Sequence, residues 1–229
     1  SYTTPKMLWF KEQAPDIYKK TYKFLQSNSY IALKLTGVMS MDFSQGYGVH
    51  FFKMDDCTVD AELAKDMGLS ADLVPQLYEC HEIVGKVTAE AAALTGLAEG
   101  TPVVAGGLDA ACGTLGAGVY LPGQTQEQGG QAGGMSICVD HALAHPKLIL
   151  SPHVVPGMWL LQGGTVGGGG TLRWFRQEFG ADSSFDELTA LAEPIAPGSD
   201  GVIFLPYMAG ERSPIWNPDA KGVYYGLGF

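Results

Sequence analysis

The sequence predicts an α/β protein that contains parts of two domains, and three patterns lead to this prediction. Apolar residues follow helical spacing in the first part of the chain. A short apolar strand followed by a helix of small residues lies in the middle. From Leu121 onward, short apolar runs alternate with Gly, Pro and His clusters, which is typical of strands. We therefore expect one domain over residues 1–119 and a second over residues 120–229.

The composition is that of a folded protein with a negative net charge. Of the 229 residues, 46% are hydrophobic and 17% are charged, which excludes disorder as the default. The 14 basic and 24 acidic side chains give a net charge of −10, so the positive surface typical of nucleic-acid or anionic-membrane binders is missing. No apolar run approaches the roughly 20 residues that span a bilayer, and no export leader is evident. We therefore expect a cytoplasmic protein with a small-molecule partner, no nucleic acid and no membrane.

The cysteines and histidines form no metal or nucleophile motif. The four cysteines are widely spaced and include no CxxC pair, which argues against a zinc site and against a disulfide framework. The five histidines show no HExxH or paired metal spacing, so we expect structural or surface roles for them. No metal centre is predicted from side chains. Cys112 has no neighbouring histidine in the sequence, which leaves nucleophilic catalysis unsupported.

Four helices are predicted before residue 100, because apolar residues there recur at helical spacing or follow a capping residue. The last three end close to a glycine, which tolerates the left-handed conformation common at helix C-termini. The predicted helices cover Pro5–Gln26 with a break near Pro15, Ser29–Leu35, Ala61–Met67, and the segment between the N-cap Thr88 and Gly96.

The second part of the chain combines predicted strands with two helices. Its strands are short apolar runs bounded by turn residues, and the first of its helices follows a glycine run and ends at Gly180. The predicted strands are Met135–Val139, Lys147–Leu150, Met158–Gln162 and Gly201–Pro206, and the predicted helices are Thr171–Phe179 and Ser184–Leu191.

Asp109 is the candidate catalytic residue. Residues 101–109 (TPVVAGGLD) form a predicted buried strand after a proline turn, and Ala110–Val119 form the helix that follows. A carboxylate at the end of a buried strand, beside glycines, has the fixed position and the free space that a general base needs. An aspartate after a strand is also a common helix N-cap, so this alternative stays open.

Glycine makes up 31 of the 229 residues, about twice its ordinary usage. Two glycine-rich runs, Gln128–Gly134 and Gly167–Gly170, have the composition that exposes successive backbone N–H groups to a phosphate. The second run also opens a helix, whose dipole favours an anion at that end. Neither run matches GxxxxGK[ST], which excludes a Walker-type loop. Tight packing of the backbone is the alternative explanation for each run.

Glu211 and Arg212 form an unusually polar pair ahead of the proline-containing aromatic segment Ser213–Trp216. We interpret them as a structural ion pair that braces a loop. Contact with a substrate is the alternative.

Several blocks, in order along nearly the whole chain, resemble the FGGY family of carbohydrate kinases in its xylulokinase and gluconokinase branch. Residues 1–13 are similar to the first family signature, with Lys6 and Trp9 at its spacing, and Asp42-Phe43-Ser44 resembles the segment TDYSxAS. Residues 102–109 are similar to PVxxGGGDxxAG, the stretch that contains the catalytic aspartate. The remaining blocks are Pro156–Trp159, Gly169–Trp174, residues 205–216 and residues 222–227.

The resemblance implies an actin-like ATPase fold of the ribonuclease H-like type, with the sugar and MgATP meeting in a cleft between two domains. It implies that Asp109 is the general base. It also implies a middle fragment of a longer chain, one that is inactive alone. The residues it implies for ATP binding are Gly130, Gln131, Gly133, Gly169 and Arg173.

One departure from the family pattern concerns the phosphate loop. Gln131 and Ala132 stand where the family has the Thr-Ser pair of GTSG, so hydroxyl contacts to phosphate are lost unless the glutamine amide or backbone N–H groups replace them.

We therefore expect an ATP- and Mg²⁺-dependent kinase that phosphorylates a ketopentose such as xylulose. Gluconate and a polyol are the alternative substrates. A catalytically silent sugar-binding or regulatory relative is an alternative of another class, and a homodimer is one option for its assembly.

Overall fold

The computed structural model describes residues 2–180 and 182–228, so Ser1, which opens the first family-like block, lies outside the described residues. Contacts between residues divide the chain into two units. The first unit consists of Ser1–Gln124, Ile137–Leu143 and Leu150–Leu161, and the second of Thr125–Ser136, Ala144–Ile149 and Gln162–Phe229.

The described residues contain both helices and strands. The α-helices are α1 (Thr3–Gln13), α2 (Pro15–Tyr18), α3 (Ser27–Thr36), α4 (Ala61–Asp66), α5 (Ala89–Thr95), α6 (Asp109–Gly116), α7 (Gly169–Phe179) and α8 (Phe185–Ala192). The strands are β1 (Ser40–Asp42), β2 (Phe52–Lys53), β3 (Thr58–Val59), β4 (Gln76–Tyr78), β5 (Ile83–Lys86), β6 (Pro102–Val104), β7 (Thr125–Gly129), β8 (Gly133–Val139), β9 (Ile149–Pro152), β10 (Trp159–Thr165), β11 (Ile203–Leu205) and β12 (Val223–Tyr225). Short 3₁₀ helices cover Phe43–Gly48, Ala71–Leu73 and Ser199–Gly201.

The strands form small sheets. β1 pairs with β4 in parallel, with Ser40 opposite Gln76, whereas β2 with β3 and β5 with β6 form antiparallel pairs. β7, β8, β10 and β9 form a four-stranded sheet in that order. β11 and β12 pair antiparallel, and the rings of Phe204 and Tyr224 stack with their centroids 4.4 Å apart.

Local capping signals predicted both ends of α5, whereas the predicted cap Ser29 lies inside α3, which begins at Ser27. The Thr88 hydroxyl accepts a hydrogen bond from the Ala91 N–H at 3.2 Å, and Gly96 ends α5 in the left-handed conformation with φ +77°. The break before Pro15 is confirmed, since α1 ends at Gln13 and α2 begins at Pro15. Helices α3, α4, α7 and α8 also confirm the predicted helices within a few residues.

The predicted continuation of the first helix to Gln26 is wrong, because α2 ends at Tyr18. Tertiary hydrogen bonds compete there with the helix. The Phe24 N–H donates to the Leu73 carbonyl at 2.8 Å, and the Lys23 Nζ donates to the Val74 carbonyl at 3.0 Å. These partners lie about fifty residues away, so helical spacing alone does not reveal them.

The described residues of the first unit contain three groups of buried apolar side chains. The largest surrounds Met7 and Phe51, neither of which is exposed to solvent. A second group lies under α6 and includes Ala111, Cys138 and Leu160. The third packs α3 against β5 through Ala32 and Val84, with Ala105.

His153 is a buried structural residue next to the second group. Its Nε2 lies 2.9 Å from the Val119 carbonyl, and its Nδ1 accepts a hydrogen bond from the Val154 N–H at 2.8 Å. Burial lowers the pKa of His153, which opposes protonation of Nδ1. Among the described residues, no helix has both the length and the apolar character needed to cross a membrane.

Candidate active site

Asp109 is the first residue of α6 and its side chain is exposed. β6 forms where a strand was predicted, but Pro102 and Val104 are exposed, so the prediction of a buried strand is wrong. Four residues, Ala105–Leu108, connect this strand to the helix. These residues lead directly to Asp109 at the start of α6.

The helix N-cap is Leu108, not Asp109. The Asp109 Oδ1 accepts a hydrogen bond from the Ala110 N–H at 2.7 Å. Among the described residues we find no partner for Oδ2, which leaves this oxygen open to solvent. A carboxylate with one oxygen anchored and one presented has the arrangement that a general base needs.

The connection before Asp109 packs closely against neighbouring side chains. Gly106 has φ +79°, a conformation that favours glycine. A Cβ on Gly107 would lie 2.5 Å from Val154 Cγ1 and 3.1 Å from Cys112 Sγ, so a larger residue does not fit without movement. Burial, together with the charges of Asp42 and Asp109, raises the pKa of the Cys112 thiol, which keeps it protonated.

A buried carboxylate lies behind this connection. Asp42 is 1% exposed, and its Oδ2 accepts a hydrogen bond from Asn28 Nδ2 at 2.7 Å. Its Oδ1 accepts from the Ser44 hydroxyl and from the Gln45 N–H, the latter at 3.2 Å. The Ser44 oxygen in turn accepts from the Leu108 N–H at 2.7 Å. Burial raises the pKa of Asp42, whereas these hydrogen bonds act in the opposite direction.

In the second unit, the structure brings the two glycine-rich runs together. The Gly169 N–H donates to the Gly130 carbonyl at 2.7 Å. The Gly168 and Gly170 N–H groups both donate to the Gln131 carbonyl, at 3.1 and 3.2 Å. The N–H groups at the start of α7 therefore already have acceptors in the loop between β7 and β8.

Close packing explains why this contact needs glycine. A Cβ on Gly168 would lie 2.5 Å from the Ala132 carbonyl carbon, and one on Gly169 would lie 2.8 Å from the Gly130 oxygen. These distances are far below ordinary contact, and the neighbouring atoms are backbone. Close packing therefore explains the need for glycine at positions 168 and 169, where α7 begins.

The predicted ATP-binding residues differ in how they are placed. Gly130, Gln131 and Gly169 meet directly, and Gly133 adjoins them, since its nitrogen would lie 2.7 Å from a Cβ on Gly168. Arg173 is an exposed residue of α7. The Gln131 side chain lies over Gly170, where a Cβ would come within 2.0 Å of Nε2.

Glu211 braces a loop, but without the predicted ion pair. It is 5% exposed, and its carboxylate accepts from Thr165 Oγ1 at 2.6 Å, from the Val166 N–H at 2.9 Å and from the Arg212 N–H at 2.7 Å. The interpretation as an ion pair is wrong, because among the described residues the Arg212 guanidinium forms no ion pair with this carboxylate. Backbone and hydroxyl donors are close enough to satisfy the carboxylate instead.

Arg212 extends toward the glycine-rich loop. Its Nη2 lies 3.7 Å from the position that a Cβ on Gly164 would occupy, and the Gly133 carbonyl oxygen lies 3.6 Å from that position. Sequence reasoning did not associate this exposed guanidinium with the loop. The only available signal was its place in a family-like block, because the two segments are far apart in the chain.

Metal ligands do not cluster in the described parts of the chain. Within residues 2–180 and 182–228, no group of three or more His, Cys, Asp or Glu side chains is arranged to hold a metal ion.

Comparison with known proteins gives consistent matches along the chain. Residues 1–116 match the N-terminal domain of the FGGY family of carbohydrate kinases, and residues 138–229 match its C-terminal domain. The xylulose kinase of Bacillus subtilis is 33% identical over 229 residues, which cover 99% of this chain and 46% of that kinase. The gluconokinase of Bacillus licheniformis is 30% identical, over 97% of this chain and 45% of that kinase.

A solved structure shows the same fold. The ligand-bound xylulose kinase from Lactobacillus acidophilus superposes with a TM-score of 0.90 at 26% identity, over 98% of this chain and 46% of that one. The predicted α/β, actin-like ATPase fold is therefore confirmed. The chain spans about half the length of the curated relatives it matches.

Proposed function

The chain belongs to the FGGY family of carbohydrate kinases, and from this premise we propose that the protein containing it transfers a phosphoryl group from ATP to a hydroxyl of a small sugar. We propose further that these 229 residues are the middle of a longer polypeptide, called here the parent protein, and do not turn over alone. The matches to about half of each relative support this. The proposed domain boundary stays at residues 119 and 120.

The observation that carries the proposal is the exposed carboxylate of Asp109 at the start of α6. Asp109 takes the proton of the sugar hydroxyl at Oδ2, while the hydroxyl oxygen forms its bond to phosphorus. ATP supplies the phosphoryl group and leaves as ADP with the electron pair of the broken bond. The hydrogen bond from the Ala110 N–H to Oδ1 holds the carboxylate in one orientation during this step.

The second unit offers side chains that fit a polyphosphate. The N–H groups of Gly168–Gly170 already donate to loop carbonyls, so these three are not available to a phosphate, and we propose that side chains supply phosphate contacts. Arg212, beside Gly164 and Gly133, and Arg173 on α7 would hold the phosphates by charge, with the Gln131 amide as a further donor. Gly130, Gly133 and Gly169 would shape this loop.

Mg²⁺ would enter with the phosphates, because this ion is commonly held by the phosphate oxygens of a nucleotide and one or two carboxylates. It would neutralise charge on the transferring group. A cytoplasmic location and assembly as a homodimer are further proposals.

We propose a ketopentose such as xylulose as the substrate, with gluconate and polyols as alternatives. Relatives named xylulose kinase and gluconokinase support the first two choices. The Gln131-Ala132 pair at the loop tip favours a second candidate function, a catalytically silent sugar-binding relative, because it lacks the hydroxyls of the family's Thr-Ser pair.

The test measures ADP formation by the parent protein with xylulose, gluconate and glycerol, for the wild type and Asp109→Asn. We expect turnover with one sugar and a loss of kcat of about 10²- to 10⁴-fold in the variant. Asp66→Asn, an exposed carboxylate in α4, is the matched control and should change nothing. Sugar binding without ADP formation would replace the kinase proposal by the silent relative, and full activity of Asp109→Asn would reject Asp109 as the base.

A further inference from the structure

The Asp42 carboxylate is the centre of a hydrogen-bond network that the kinase proposal does not use. It is almost fully buried, and each of its oxygens accepts from neighbouring donors. Asn28 Nδ2 donates to one oxygen, and the Ser44 hydroxyl donates to the other. Cys80 Sγ lies 3.7 Å from that second oxygen. A buried carboxylate with this many donors is held in one orientation.

Ser44 connects this carboxylate to the segment that carries Asp109. The Ser44 side chain is fully buried, and its oxygen accepts from the Leu108 N–H at 2.7 Å while its proton goes to Asp42. Donation to a carboxylate makes the hydroxyl oxygen a better acceptor, because hydrogen bonds in a chain polarise one another. Leu108 is the residue directly before Asp109.

The other residues of the connection, 105–107, also contact residues of this network. Asn28 Nδ2 also lies 3.5 Å from the Ala105 carbonyl, and the Gly106 N–H donates to the Cys80 carbonyl at 3.0 Å. A Cβ on Gly107 would lie 3.4 Å from Ser44 Oγ, so the glycine backbone rests against this serine. The path from Asp42 to Asp109 is therefore short and closely packed.

We propose that Asp42 and Ser44 are positioning residues for Asp109: the Asp42–Ser44 pair holds the Leu108 N–H and thereby fixes the start of α6 and the direction of the catalytic carboxylate. This inference rests on the proposed function of Asp109 as general base. Neither residue touches the substrate in this scheme, and both act through the backbone.

A purely local role is the competing explanation. Asp42 is also the N-cap of the 3₁₀ helix Phe43–Gly48, where it accepts from the Gln45 N–H. That role explains Asp42, but it does not require the bond from Leu108 to Ser44, which spans 64 residues. A capping role predicts loss of stability alone, whereas positioning predicts loss of kcat that depends on Asp109.

The test is a double-mutant cycle in the parent protein with Ser44→Ala and Asp109→Asn. In the wild-type background we expect Ser44→Ala to lower kcat about 10- to 100-fold, with KM for the sugar changed less than about 3-fold. In the Asp109→Asn background the same change should lower kcat less than about 2-fold. Ser40→Ala is the matched control, because this buried serine forms no side-chain hydrogen bond among the described residues and should leave kcat unchanged.

A second readout does not depend on the reaction. In the parent protein, amide hydrogen exchange at Leu108 should be faster in Ser44→Ala than in Ser40→Ala, while exchange in α5 stays the same. Equal loss of kcat in both backgrounds, or unchanged exchange at Leu108, would overturn the positioning role. Activity that survives Asp109→Asn would overturn the proposed function instead, so the two failures are distinguishable.

Discussion

The loop around Glu211 provides the sharpest stability prediction for the second unit. Its carboxylate is buried and accepts three hydrogen bonds, two from backbone N–H groups and one from the Thr165 hydroxyl. Glu211→Ala removes all three hydrogen bonds at once. The hydroxyl can turn to another acceptor or to water, whereas the Val166 and Arg212 N–H groups are fixed in direction by the backbone.

The expected loss follows from those two backbone donors. Each buried donor left without a partner costs about 1–3 kcal/mol. The truncation also relieves the cost of burying a charge, which offsets part of the loss. We therefore expect Glu211→Ala to lower the free energy of unfolding by about 2–4 kcal/mol.

Glu211→Gln distinguishes the effect of losing the hydrogen bonds from the effect of losing the bulk of the side chain. Its amide oxygen can still accept from both backbone N–H groups, and its NH₂ group can donate to the Thr165 oxygen. The loss should then be only about 0.5–1.5 kcal/mol. Glu193→Ala, at an exposed position, is the control and should change stability by less than about 0.5 kcal/mol.

The assay is urea unfolding followed by tryptophan fluorescence, since Trp216 lies in the same loop and its backbone N–H donates to the Arg212 carbonyl at 2.6 Å. Equal losses for the Ala and Gln variants would refute the reasoning, because side-chain bulk and not acceptor loss would then set the cost. A loss below about 1 kcal/mol for Glu211→Ala would refute it as well.

Two further predictions concern pH and backbone packing. Burial lowers the pKa of His153 below its ordinary value, so the unfolded chain binds more protons in that range and stability is lost as pH falls from about 6.5 through the lowered pKa. The free energies of unfolding in urea at about pH 8 and about pH 5 should therefore differ less for His153→Gln than for the wild type. His81→Gln, at an exposed position, is the control and should match the wild type; equal pH dependence in all three would contradict the prediction. Gly168→Ala should lower the free energy of unfolding by about 1–3 kcal/mol, because the new Cβ would collide with the backbone of Ala132. Gly228→Ala is the control, since no atom lies within 4 Å of a Cβ there. Equal losses for the two variants would contradict the prediction.

Much of the helical structure follows from signals within one turn. Thr88 and Gly96 marked both ends of α5, because a cap and its helix are formed by residues three or four positions apart. The segment before Gln26 failed for the opposite reason. The Phe24 N–H meets the carbonyl of Leu73, which no local pattern encodes.

Short strands were the most frequent omission. β1 has three residues and pairs in parallel with β4 more than thirty residues later, so neither alternation nor a turn signal marks it. β7 was missed because its residues, Thr125–Gly129, are polar or glycine and lack an apolar pattern. Such strands exist because a partner strand supplies the hydrogen bonds.

In the candidate site, too, local features could be predicted from the sequence, whereas contacts between remote segments could not. The position of Asp109 after a glycine pair and before a helix could be predicted, and collinear blocks could identify its family. The glycine count predicted that backbone approaches something closely, but not that the Gly169 N–H would meet the Gly130 carbonyl instead of an anion. The glycine content indicates only that another group packs close to the backbone. Which group this is depends on a second segment, here the loop between β7 and β8.

The ends of α5, the candidate base and membership in the FGGY family could be predicted from the sequence, because each rests on residue identity and short spacing along one chain. Two contacts were visible only in the folded chain: Glu211 accepts from backbone N–H groups, and Ser44 accepts from the Leu108 N–H, 64 residues away. A hydrogen bond requires its donor and acceptor within a few tenths of an ångström of about 3 Å. Spacing in sequence does not set that distance between remote segments, and packing does.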